Sequence, residues 1–154
     1  MRIQRGFTLV ELGVVISITA TLLGLITISL VRSQQGASLT STEEILSADL
    51  RSQQLKSMIG DTEGRASHDT YGIHIDQSSY TLFHGIYSAQ EPSNFVVALD
   101  SSTRFNNPNF DVVFLRPSGQ ISTSTVIELQ DKTNSKLKKI HLNTLGVITQ
   151  VESL

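Results

Sequence analysis

From Leu12 to Val31 the chain runs for 20 residues without a charged side chain. Twenty helical residues rise about 30 Å, close to the hydrocarbon thickness of a bilayer. The run contains no proline, and its serines and threonines can bond back to carbonyls one turn earlier. A membrane-spanning helix is therefore expected, ahead of a helix buried in a soluble core. A cleavable secretory signal is the nearer rival. Such signals carry apolar stretches of roughly 7–15 residues and end at a small-residue cleavage site. This run is longer, and Gln35-Gly36-Ala37 places a large side chain where a small one is required.

Charge orients the run. Arg2 and Arg5 precede it, whereas Arg32 is the one basic residue immediately after it, followed by Glu43, Glu44 and Asp49. Basic flanks stay in the cytoplasm, so most of the chain is expected on the other side of a cytoplasmic (inner) membrane. The 154 residues suffice for one domain with a sizeable core. Cysteine is absent, which excludes disulfides and thiolate metal sites. Twelve basic and 14 acidic residues give a formal charge of −2. A mildly acidic chain lacks the basic face of a general nucleic-acid binder.

Just ahead of the run stands Arg5-Gly6-Phe7-Thr8-Leu9-Val10-Glu11. A carboxylate in the first turns of a membrane helix is costly and points to a functional partner. The alternative is an interfacial acid complementing the helix N-terminus. The whole motif resembles the type IV prepilin signature: a short basic leader ending in Gly, then Phe-Thr-Leu, a glutamate at the fifth mature position, and an apolar stretch. The resemblance implies a leader at residues 1–6, cut by a prepilin peptidase between Gly6 and Phe7, with methylation of the new terminus at Phe7. It also implies that Glu11 pairs with a mature N-terminal amine during filament assembly. Without Arg2 and Arg5 the mature chain has 10 basic and 14 acidic residues, a charge of −4. Many members carry proline where this chain has Ile28, so the kink that proline brings is not expected here.

Helical patterning continues to about Ile59, where Gly60 is a stop signal. A helix from Phe7 would be about 80 Å long, unless Gly36 interrupts it. Two apolar stripes follow: Ile45, Ala48, Leu55 and Ile59, and, roughly opposite, Leu39, Leu46 and Leu50. One should pack under a sheet; the other is either scattered surface or a contact with neighbouring subunits. In the apolar half, Gly13, Ser17, Ala20, Gly24 and Thr27 share one face. That face permits close helix packing, although a segment so rich in small residues produces such patterns by chance.

Beyond Gly60 the pattern becomes strand-like. Tyr71–Asp76 and Tyr80–Gly85 read as a hairpin, with His74 opposite Thr81 and His84 opposite Thr70. Phe95–Leu99 and Asp111–Arg116 are further strands, the latter ended by the turn Pro117-Ser118-Gly119. Val126–Gln130 and Lys138–Asn143 alternate apolar and polar residues, and Leu145-Gly146-Val147-Ile148 adds a last strand. A helix followed by strands implies an α+β fold, with a long N-terminal helix packed on an antiparallel sheet. This half is similar to minor pseudopilins of the GspH/FimT-like class.

The resulting organisation is leader 1–6, transmembrane and assembly helix 7–32, and extracytoplasmic domain 33–154. No catalytic motif emerges, and neither an enzyme, a cofactor nor a metal site is expected. His68, His74, His84 and His141 read as ordinary strand or loop histidines. Lys132, Lys136, Lys138 and Lys139 read as a solvated hairpin. The resemblance implies a structural minor pseudopilin of a type II secretion or type IV pilus-like machine, with other pilin subunits and the prepilin peptidase as partners. The alternative is a competence-type minor pilin that captures DNA through those lysines.

Overall fold

The computed structural model describes residues 9–66 and 68–154, the side chains of 24–37 excepted. Helix α1 (Leu9–Ile59) is followed by eight strands: β1 (Tyr71–Ile75), β2 (Ser79–His84), β3 (Phe95–Ala98), β4 (Thr103–Phe105), β5 (Phe110–Phe114), β6 (Thr125–Asp131), β7 (Leu137–Leu142) and β8 (Ile148–Ser153). The chain is α+β, and α1 stays helical through Ile28 and Gly36. It divides into two compact units, Met1–Gln35 and Gly36–Leu154.

The second unit holds two antiparallel four-stranded sheets, ordered β3-β2-β1-β5 and β4-β6-β7-β8. Its part of α1 packs on them through Leu39, Leu46 and Leu50, which are buried with Ile73, Ile75, Val112, Phe114, Ile127, Leu129, Ile140 and Leu142. The alternation read in β6 and β7 is thus the core face of that sheet. Ile45, Ala48, Leu55 and Ile59 remain exposed. Polar bonds fix the helix in place. Tyr80 Oη donates to Asp49 Oδ2 at 2.6 Å, Ser57 Oγ to the Phe114 carbonyl at 2.6 Å, and Gln54 Nε2 to the carbonyls of Gly119 and Leu145 at 3.0 and 2.8 Å.

The helix stops where glycine permits it. Gly60 takes φ 66°, the Asp61 amide bonds back to the Lys56 carbonyl at 3.0 Å, and the Gly60 amide to Ser57 at 3.3 Å. This pair of bonds is a Schellman cap, which needs a left-handed residue just past the helix.

Three strand expectations are corrected, and one strand is added. Thr103–Phe105 forms a strand too short for periodicity to reveal; it pairs with β6 and buries Phe105 edge-on to Tyr80. The strand expected at Asp111–Arg116 is Phe110–Phe114. Leu145-Gly146-Val147 is a turn: Asn143 Oδ1 accepts from the Leu145 and Val147 amides, and Gly146 has φ 74°. A hydrogen-bonding Asn side chain reverses the chain there, so the strand begins only at Ile148. Finally, His84 lies opposite Tyr71, while His74 does face Thr81.

Candidate functional site

Gly6 and Phe7 lie outside the described residues. Glu11 stands in the first turn of α1 and is exposed. Around it Leu9, Val10, Leu12, Val14, Val15 and Ile16 are all more than half exposed. A side chain added at Gly13 would meet nothing within 4 Å. Ser17 and Ala20, on the same face, are also exposed, whereas the side chains of Gly24 and Thr27 lie outside the description. Ser17, Thr19 and Thr21 each return a hydroxyl proton to the carbonyl four residues earlier, at 2.8 Å. These three hydroxyls are therefore satisfied within the helix itself, as an apolar environment demands. Among the described residues no helix is long and apolar enough to cross a membrane. Within the Leu12–Val31 run the described side chains end at Leu23, about 21 Å of helix from Leu9, and those of the rest of the run lie outside the description.

In the second unit the lysines expected to cluster are divided. Lys138 lies on the core side of β7 and reaches Glu43 of α1 at 3.2 Å. Lys139, one residue on, points to the opposite face and meets Glu128 at 2.9 Å. Lys132 donates to the Ser101 carbonyl at 2.8 Å. The hydrogen bond from Asn106, with that from Lys139, holds the Glu128 carboxyl below its ordinary pKa. A second charged group closes the end of α1. Lys56 and Arg65 flank Glu63 at 2.6 and 3.0 Å, and Arg65 also donates to Tyr71 Oη at 2.8 Å. The Lys56 hydrogen bond is the main cause of the lowered Glu63 pKa.

The histidines serve separate contacts. His74 bonds Asp111 at 2.6 Å and stacks on Tyr87 with ring centroids 3.8 Å apart. His68 contacts the Gly60 carbonyl at 2.6 Å, and His141 approaches Glu152 at 3.7 Å. His84 lies 2.8 Å from Ser93 Oγ and 3.5 Å from Asp69. That order resembles a nucleophile with its base, but Ser93 donates its proton to Glu91 at 3.3 Å. Among the described residues no group of three or more His, Asp or Glu side chains is placed to hold a metal ion.

Residues 1–27 match the family model of the prokaryotic N-terminal methylation motif. The chain carries a prepilin-type signal. This signal is that of type IV pilins and pseudopilins, and it implies processing by a prepilin peptidase and assembly with other pilin subunits. No curated protein and no solved structure matches the chain. The signal spans Gly6, Phe7, Glu11 and the first helical turns, so the motif read from the residues and the matched family coincide.

Proposed function

We propose that the chain is a structural subunit, a minor pseudopilin of a type II secretion or type IV pilus-like machine, which acts by assembly and turns over no substrate. The prepilin-type signal at residues 1–27 carries this reading. Two further features support it. Leucines 39, 46 and 50 satisfy the core, leaving Ile45, Leu55 and Ile59 at 51, 57 and 66% exposure on the same helix. A helix apolar on two faces suits a subunit whose second face meets another helix. Lys138 and Lys139 lower the case for DNA capture, because each is paired with a carboxylate and they lie on opposite faces of β7.

In this reading the apolar helix resides in the cytoplasmic membrane, with the strand domain outside, until the subunit enters a filament. Cleavage at Gly6–Phe7 releases the amine that assembly needs. Intact mass and N-terminal sequencing of membrane-extracted protein should show a methylated Phe7 terminus. Cysteine introduced at Ala48 and Leu55, in a chain that has none, should crosslink into ladders in cells with the assembly machine. An uncut Met1 terminus beside an active peptidase, or crosslinks absent from processed protein, would overturn the proposal.

A further inference from the structure

Between Leu39 and Ile59, α1 carries five charged side chains: Glu43, Glu44, Asp49, Arg51 and Lys56. Three are engaged within the subunit. Glu43 meets Lys138 at 3.2 Å, Asp49 accepts from Tyr80 at 2.6 Å, and Lys56 meets Glu63 at 2.6 Å. Glu44 and Arg51 are exposed and make no hydrogen bond or ion pair among the described residues. They stand about 10.5 Å apart along the helix and ~20° apart around it. They therefore share one ridge, beyond the one-turn spacing at which helix side chains pair.

That ridge borders the exposed stripe of Ile45, Ala48, Leu55 and Ile59. The stripe has the same period: Ala48 and Leu55 are one heptad apart, Ile45 and Ile59 two. A parallel helix displaced by seven residues therefore presents the same sides at the same levels. The displacement brings Arg51 of one helix level with Glu44 of the other. It also brings the large Leu55 level with the small Ala48. Without it, Glu44 would stand level with Glu44 and Arg51 with Arg51, and like charges across an interface oppose binding. An exposed ion pair adds little affinity. The two charges thus set the register, and the apolar stripe supplies the attraction.

We propose that a second copy of this chain packs on this face, its helix parallel and displaced by seven residues, with Glu44 of one copy paired to Arg51 of the next. This packing rests on the assembly reading above, in which all copies share one membrane orientation. A second copy fits better than a different subunit because acid, base and spacing are all present in this one chain. Each contact leaves an Arg51 open on one copy and a Glu44 open on the other. The contact is therefore heterologous and repeats without closing.

The test expresses two tagged forms of the full chain, one with Ala48→Cys and one with Leu55→Cys, together in cells that have the assembly machine. Mild oxidation then traps neighbours. Crosslinks between the two forms should exceed those within either form about 10-fold. Glu44→Arg in both forms sets Arg beside Arg and should reduce the mixed crosslink about 10-fold, as should Arg51→Glu. Combining Glu44→Arg with Arg51→Glu should restore it to within about 2-fold, because the exchanged charges again face each other. Equal crosslinking of like and unlike forms, single variants without effect, or a double variant that is not restored would overturn the proposal. The last result would assign the two charges to a different subunit. Methylated Phe7 termini and incorporation into sheared filaments are measured on the same samples. Normal incorporation beside any of those results overturns the register and leaves the assembly reading standing. Absence of processed, incorporated protein overturns both.

Discussion

Tyr80 and Asp49 show how much rests on one polar pair. The phenol is buried, and its single proton goes to a helix carboxylate at 2.6 Å. Burial first, and the Asp49 hydrogen bond second, push its pKa well above the usual 10. The unfolded chain therefore loses a proton near pH 10 that the folded chain keeps. Tyr80 leaves stability level below pH 10 and lowers it as pH rises further. Tyr80→Phe should cost about 1–3 kcal/mol at neutral pH by leaving Asp49 without this donor. It should also flatten the alkaline decline, leaving the smaller share due to Tyr71, whose pKa burial also raises. Urea denaturation from pH 8 to 11 measures both effects. Glu63 has the opposite sign: its lowered pKa gives stability that is present above its ordinary 4.5 and lost as pH falls through the folded value. At 38% side-chain exposure that contribution is under about 1 kcal/mol. We propose that Glu11 acts on assembly rather than stability. Glu11→Gln should leave cleavage and membrane insertion nearly intact and reduce incorporation into sheared or crosslinked filaments; normal incorporation would refute the role, and failure to insert would point to topology instead. The residues of the cleavage motif were legible because their types and spacing are dictated by a peptidase, which reads a linear chain. The unengaged state of Glu44 and Arg51 was not, because Lys138 and Tyr80 reach the neighbouring helix carboxylates only once strands are ordered.

At the scale of elements, α1 divides its apolar residues between two faces. Leu46 is fully buried, so Leu46→Ala should cost about 2–5 kcal/mol. Leu55→Ala should stay within about 0.5 kcal/mol in the isolated subunit while reducing filament crosslinking. Denaturation and crosslinking of the same two variants separate the faces, and equal stability losses would contradict the division. The helix end and the β1–β2 and β6–β7 hairpins were readable from local signals: a glycine stop, polar turns and clean alternation. β4 was hidden because three residues are too few to show a period, and Phe105 is buried by a neighbour distant in sequence. The Leu145–Val147 turn was hidden because apolar residues stand where an Asn143 side chain, not their own preference, sets the backbone.

For the whole molecule, the Gly36–Leu154 unit contains both sheets and the helix segment that covers them. A chain beginning at Ser33 should therefore fold alone, with mixed helix and strand circular dichroism and dispersed proton NMR; a collapsed spectrum would count against it. By itself the sequence determined the long helix, its stop at Gly60, the α+β order and the prepilin-type signal. Each of these depends on neighbours along the chain or on an enzyme that reads them. Only the tertiary structure decided which helix stripe is core, how eight strands sort into two sheets, and that the lysines are split between faces. Those outcomes depend on contacts between residues far apart in sequence: Glu43 with Lys138, Asp49 with Tyr80, and Ser57 with Phe114. Periodicity states that a face is apolar, but it carries no information about which surface will cover it.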